Sequence, residues 1–459
     1  MTKVDAVSAE VEAIRAMVAP VNDLALGGAH MRGMGKTYLP QFPLEDNNTY
    51  DARKDSTWLF DGVGKAVEDY TSRVFDKPVT CIDEGRLGDW CQNIDLEGRD
   101  LSNFAQDVFA DQIKSAITFI MADAPRRDGE VTVGQAEAQN LRPYLLHFTI
   151  FEALGWKVGN INNAPTITQF RLMESVDSGK GDEFTAEMVD QVRVLDLVGG
   201  RVNVRLFRRG ETGKKDWVVH EEYLTDQTEI MIVPVYSGRT GFLKARPPLG
   251  RLAEINLAHW RSQSDQANIM HHARAPIKVF MGWDKADLSG SAESPGYAFV
   301  TSNDNAKVDV IEHGGSALEA GRNELKDLEQ QMQWTGLQLV MSKSSGATAT
   351  GDAIDEKKNT SSLARWADNL KDSIEIALGW MLDLGATEGS AEVAMSRDYL
   401  SISLNEVSLE TLQKLGFSQE TLFTEAKRRG GVSDDLVVAD ELERVQREGA
   451  LSLGVMGDG

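Results

Sequence analysis

Between Arg246 and Trp283 the chain reads RPPLGRLAEINLAHWRSQSDQANIMHHARAPIKVFMGW, and no other stretch limits the fold as much. Pro247 and Pro248 close the segment before it. From Leu249 to about Ala273 there is no proline, and Gly250, in the first turn, is the single glycine, so the spacing predicts one long helix. At 1.5 Å per residue about 25 residues reach about 37 Å, more than a compact domain usually needs. Pro276 then forces the chain out of helix.

A second run of like length, Ser316 to Met341, follows some forty residues later. Positions 318, 321, 325, 328, 332, 335 and 339 alternate in steps of three and four, and Leu318, Leu325, Leu328, Met332 and Leu339 fill them, with Gly321 and Thr335 as small members. Two matched helices bracketing a small module imply an outward and a return leg. Periodicity alone fits an ordinary helical hairpin inside one core equally well.

Four blocks of sequence, in order, resemble a portal-like family of tailed bacteriophages. The first is YLPQFPLEDNNTYDARKDSTWLFDGVGKAVEDYTSRVFDKP (Tyr38 to Pro78), with LP-x-x-P, Y-x-x-R and VF-x-KP elements. LRPYLLHFTIFEALGW (Leu141 to Trp156) and PPLGRLAEINLAHWRSQSDQANIMHHARAPIKVFMGW, with an LA-x-x-N-x-AH helix, come next. TATGDAIDEKKNTSSLARWADNLKDSIEIALGWM (Thr348 to Met381) is the last. The resemblance covers residues 35 to 385, and four blocks in sequence are more specific than any one of them.

It implies an α+β portal fold. Its parts are a wing of mixed helix and antiparallel sheet (1–245), a two-helix stem (246–274 and 316–341), a small α/β clip (275–315) and a tunnel loop (342–362). A long kinked helix with a returning strand (363–405) and a short helical crown with a tail (406–459) complete it. The resemblance further implies a homo-oligomeric ring of twelve copies at one capsid vertex, assembled in the host cytoplasm and retained in the virion. Double-stranded DNA would pass through it without sequence-specific contacts. The terminase large subunit, a head-tail adaptor and the major capsid protein would be partners. In the tunnel loop Lys343, Lys357 and Lys358 would face phosphates, with Ser344, Ser345, Thr348 and Thr350 as weaker polar contacts. Ala353 to Asn359 also carries a helix-compatible pattern. At the clip's outer edge Trp283, Asp284, Lys285 and Asp287 would meet a docking partner, although a turn that buries one Trp fits the same residues.

Composition agrees with a globular chain of several domains: 459 residues, 41% hydrophobic, 26% charged, net charge -23. Such an acid excess argues against a protein that grips phosphate over its whole surface, yet suits a duct through which DNA slides; it also serves plain solubility. No apolar run is long enough to span a bilayer, and the first residues carry acids where a signal peptide would be apolar, so no membrane partner is expected. Cys81 and Cys91, the only cysteines, provide neither a disulfide framework nor metal spacing.

Gly35, Lys36 and Thr37 imitate the end of a phosphate-binding loop, but His30 stands where a glycine is needed, and Pro40 and Pro43 forbid the helix that should follow. A flexible lead-in is expected over Gly27 to Pro40. The pattern predicts helices over Trp58 to Phe75 and Leu101 to Met121, then an exposed turn from Ala124 to Gly129 that carries Arg126 and Arg127. From Thr166 to Gly238 the period changes to two, which predicts a mostly antiparallel sheet with a hairpin at Gly199 and Gly200.

His220 lacks the second histidine of a zinc helix, and His271 and His272, on different faces, are expected to cap a helix C-terminus. A third helix is expected from Ser361 or Ser362 to Gly385, with Gly379 as a point of bending, followed by strands within VAMSRDYLSISL. Ser418 and Ser433 are expected as N-caps in the crown, and Gly430 and Gly431 as a stop. No catalytic residue, metal ligand or cofactor site emerges, so the chain is expected not to be an enzyme. The alternatives are another virion ring or head-tail adaptor, or a P-loop-like ATPase using Lys36 and Thr37.

Overall fold

The structure, a computed structural model, describes residues 3–83, 85–125, 139–210, 216–274, 277–283, 303–311, 315–336, 349–396 and 418–428, with a few isolated positions beyond. Helices α1 (Ala9–Ala25), α2 (Gly28–Met34), α3 (Asn47–Ser56) and α4 (Gly62–Val74) open it. The three longer ones start where a side-chain oxygen accepts from a free N–H of the first turn: Ser8, Asp46 and Asp61. The stretch expected as a flexible lead-in is folded instead, as α2 and a 3-10 turn at Gly35–Thr37. Gly27, at φ +86°, makes the break before α2, and the fully buried Met31 holds that helix down.

After β1 (Thr80–Cys81) and α5 (Arg86–Cys91), helix α6 runs Leu101–Ser115. The sequence pattern carried it on to Met121; the chain instead turns at Ala116 (φ +64°) into β2 (Ile117–Asp123). Periodicity cannot assign a run that is apolar at almost every position, whereas β-branched Ile117 and Thr118 favour a strand. Along β2, Ile120 and Ala122 enter a core shared with the helices, while Ile117, Phe119 and Met121 enter a second core under the other sheet. Both faces of the strand are therefore covered.

β2 lies between β3 (Tyr144–Phe148) and β9 (Ile232–Tyr236), antiparallel to both. The intervening strands β4 (Ala153–Ile161), β5 (Ala164–Asp177), β6 (Met188–Val198), β7 (Arg201–Arg209) and β8 (Trp217–Leu224) form an antiparallel meander in chain order. Gly199 and Gly200, at φ +61° and +80°, join β6 to β7 and leave Val198 opposite Arg201, the expected two-residue hairpin. The alternating region is thus antiparallel throughout but divides into two sheets, since the run containing β9 leaves the meander to fill the open side of β2. A short pair, β10 (Arg239–Gly241) and β11 (Lys244–Ala245), leads to the prolines.

Beyond them come α7 (Gly250–Arg274), β12 (Ile277–Met281), β13 (Lys307–Ile311), α8 (Gly315–Thr335), α9 (Ala349–Gly385), β14 (Val393–Ala394) and α10 (Gln419–Arg428). The loop expected over 342–362 is helical from Ala349 onward, and Ser361 and Ser362 lie inside α9 rather than capping it. Extending a helix adds a hydrogen bond per residue without a new nucleus, so the amphipathic run after Leu363 carries the polar stretch before it. Residues 337–348 lie outside the described residues. Leu363, Leu370, Ile374, Leu378 and Met381 are buried along one side of α9, as their spacing predicts. Gln112 of α6 ties three elements together, its Nε2 donating to Tyr236 O (2.7 Å) and Trp366 O (3.0 Å).

Among the described residues β14 pairs with β1, a two-residue clasp on the N-terminal half; the rest of the stretch expected to return to the sheet, 397–404, lies outside the described residues. Ser418 caps α10, accepting from Thr421 N at 3.2 Å. Arg126, Arg127, Ser433, Gly430 and Gly431 lie outside the described residues. The architecture is α+β, with helices packed around antiparallel sheets.

Candidate functional site

Helices α7 and α8 lie side by side and antiparallel, as their contacts show. Gln266 Nε2 donates to Leu318 O (3.1 Å), Ser262 Oγ donates to Glu324 (3.2 Å), His259 Nε2 is 3.5 Å from Glu329, and Leu252 lies against Gly336. Numbers fall on one helix as they rise on the other. The stripe Leu318, Leu325, Leu328 and Met332 faces inward as expected, while Thr335 is exposed. At the far end β12 and β13 form an antiparallel ladder from Ile277↔Ile311 to Met281↔Lys307, so the two legs are joined by a hairpin.

At the near end the pair is fixed by polar groups drawn from distant sequence. Asn256 Oδ1 accepts from Gly62 N (3.2 Å) and Val63 N (3.1 Å), and its Nδ2 donates to Phe60 O (2.8 Å). One side chain of α7 thereby satisfies the start of α4. Arg53, with its side chain only 1% exposed, donates to both oxygens of Glu45 (2.7 and 2.8 Å), to Ser264 Oγ (3.0 Å) and to Pro40 O (2.9 Å). Arg261 Nε donates to Tyr38 O (2.9 Å), and Tyr50 donates its hydroxyl to Leu39 O (3.0 Å). The LP-x-x-P and Y-x-x-R blocks are therefore a collar around the root of α7. Arg53 and Ser264 are 211 residues apart, a contact that no local pattern announces.

Buried charge is matched at this collar. The hydrogen bond from Arg53 holds the Glu45 carboxyl below its ordinary range, and the same bond raises the Arg53 guanidinium against the opposing effect of burial. His259 is buried against Phe60 and Trp58, ring centroids 5.3 and 6.4 Å away. Burial pushes its pKa below 6.5, and Glu329 opposes the shift without reversing it. Trp260 beside it is fully enclosed.

Residues 248–384 match a domain of unknown function (DUF4055). The match spans α7, the hairpin, α8 and nearly all of α9. Among solved structures, the chain is similar to the neck of an empty GTA particle computed with C6 symmetry, at TM-score 0.43 and 11% identity over 81% of this chain and 90% of that one. It is also similar to the neck of a native GTA particle computed with C12 symmetry, at TM-score 0.39 and 10% identity over 79% and 88%. No curated protein matches the chain.

The site residues expected from sequence fall unevenly on this frame. Trp283 is half-buried just past β12, edge-to-face with Phe280 at 5.5 Å. Asp284, Lys285 and Asp287 lie outside the described residues, as do Lys343, Ser344, Ser345 and Thr348. Thr350, Lys357 and Lys358 sit on the first turns of α9, a helix and not a loop; their side chains lie outside the described residues. Lys36 lies over the Tyr50 ring at 5.5 Å, on a 3-10 turn that has no phosphate-loop form. His220 is exposed on β8, while the side chains of His271 and His272, in the last turn of α7, lie outside the described residues.

Among the described residues no group of three or more His, Cys, Asp or Glu is arranged to hold a metal, and no helix is long and apolar enough to cross a membrane. Sequence reasoning quoted the blocks containing Arg53, Glu45, Asn256 and His259 but gave these side chains no role. For Asn256 and His259, polar types among the apolar residues of LAEINLAHW were the available signal; Arg53 and Glu45 stand in polar sequence that carries none.

Proposed function

We propose that this chain is the portal subunit of a tailed-phage-like particle, a ring of twelve copies at one capsid vertex through which DNA enters and leaves. In this reading α7 and α8 are the stem, the β12–β13 hairpin belongs to the clip, the helix-and-sheet body is the wing and α10 belongs to the crown. The observation that carries it is the pair of matched antiparallel legs, rooted at one end and joined by a hairpin at the other, whose outer helix keeps most of its surface in solvent. Trp334 on that outer face is 77% exposed. A closed ring built from one repeated contact would place the outer helix of each copy against its neighbour and supply the missing cover. The four sequence blocks in portal order support the same reading.

The duct would pass double-stranded DNA without reading its sequence, and the acid excess suits sliding over gripping. Lys343, Lys357 and Lys358, with Ser344, Ser345, Thr348 and Thr350, are proposed as the polar and basic groups nearest the DNA. The outer edge with Trp283, Asp284, Lys285 and Asp287 would receive the terminase during filling and a head-tail adaptor afterwards, while the wing meets the major capsid protein. The chain would perform no catalysis, ATP being consumed by terminase. Electron microscopy of the purified protein tests the reading: a turbine-shaped ring with a central hole supports it, and a compact monomer at micromolar concentration overturns it. Nucleotide titration of wild type and Lys36→Ala tests the ATPase alternative, and neither protein should bind ATP.

A further inference from the structure

The only two cysteines of the chain meet at the clasp that secures the end of α9. Cys81 lies on β1, half-buried, and Cys91 closes α5, buried in the main core. Helix α5 packs on β1, and Cys81 packs against the same core cluster that holds Cys91, both thiols free. The same short stretch holds the chain where it leaves α9. Cys81 is paired with Val393 across β1 and β14, Ile82 N donates to Glu392 O (3.0 Å), and Asp83 accepts from Ser390 N (2.7 Å). Trp90 covers Gly385 so closely that a Cβ there would clash with its ring.

We propose that Cys81 and Cys91 are a redox couple, closing to an intrachain disulfide in an oxidising medium and thereby fastening the segment that follows α9. The oxidant is a low-molecular-weight disulfide. The Cys81 thiolate, the more accessible of the two, attacks one sulfur of the oxidant and expels a small thiolate, leaving a mixed disulfide on Cys81. The Cys91 thiolate then attacks the Cys81 sulfur and expels the second small thiolate. One protein disulfide forms, the oxidant is reduced by two electrons to two thiols, and the two protein protons end on those thiols. Burial pushes the Cys91 thiol well above its ordinary range, with Cys81 and Asp83 acting in the same direction, so the second step accelerates with rising pH. The closed bond would staple β1 to α5 and tighten its hold on residues 385–394. This inference rests on the single chain and is independent of ring formation.

The test uses the full-length protein incubated with oxidised glutathione at mildly alkaline pH. Wild type should lose two hydrogen atoms in intact mass, with no retained glutathione, and its reactive thiols should fall from two to none; dithiothreitol should restore both. Cys91→Ser should stop at a glutathione adduct on Cys81. Limited proteolysis within residues 386–396 should slow several-fold on oxidation of wild type and stay unchanged in Cys91→Ser, with Cys91→Ala as the substitute should the serine variant not fold. A wild-type protein that retains glutathione, that cross-links between chains, or that keeps two free thiols while the urea-unfolded chain reacts would overturn the proposal.

Discussion

Helices α7 and α8 are neighbours of similar length, yet they are held in different ways. Along α7, Leu252, Ala253, Asn256, His259, Trp260 and Ser264 are all buried, and the helix is tied to Tyr38, Arg53, Phe60, Gly62 and Val63 by hydrogen bonds across some two hundred residues. Along the described part of α8, Met332 alone among the side chains is buried; its apolar stripe meets α7 and its other faces meet solvent. Similar length therefore need not mean equal shelter. The inner leg is part of the subunit's core, whereas the outer leg has one wall and, in the ring proposed here, receives the other from a second copy.

Substitutions at the root of α7 should cost stability, and the largest loss should come from the collar. Arg53→Met removes both guanidinium hydrogen bonds to the Glu45 carboxylate and leaves it only the Phe42 N–H (3.0 Å), a change that should cost about 3 kcal/mol. Urea unfolding should show it, and pairing it with Glu45→Leu should restore most of the loss. Asn256→Ala strips the acceptor from Gly62 N and Val63 N and should cost about 1–3 kcal/mol in the same measurement.

His259 should contribute a pH dependence of smaller size. Its folded pKa lies below 6.5, so as pH falls the unfolded chain takes up the proton first. The stability it confers is complete above the unfolded pKa of about 6.5 and declines as pH drops from there to the lowered folded value. Urea midpoints at about pH 7.5 and about pH 5.5 should differ in wild type and converge in His259→Phe.

Trp334→Ala should change monomer stability least, within about 0.5 kcal/mol. Its effect should appear in the fraction of rings counted by mass photometry. If the fold is weakened as much as by Asn256→Ala, or if assembly is untouched, the contrast between the two legs is lost.

Much of this was legible from the residues. The limits of α7, the stripe on α8, the glycine hairpin at Gly199–Gly200 and the buried face of α9 follow from period, proline and turn chemistry, which act within a few residues. Misreadings fell where local chemistry is ambiguous. Ile117 to Met121 is apolar enough to continue α6 or to become β2, and what decides is that both faces of a strand find cover there. Ala349 to Ser362 is polar and small enough for a loop, yet continues α9. Gly27 to Pro40 looked like a tether and is pinned by Met31.

At the site the division is sharper. Spacing and proline placement were enough to set two long legs with a small link between them, because helix geometry converts residue count into length. Only the tertiary structure decided that Asn256 caps a distant helix, that Arg53 and Glu45 form the collar, that Cys81 packs against the core that holds Cys91, and that one leg is buried while the other is bare. Those depend on which surfaces meet after the chain has folded back on itself, and burial, the quantity that gives a polar side chain its energetic weight, is a property of that meeting and of no single stretch of sequence.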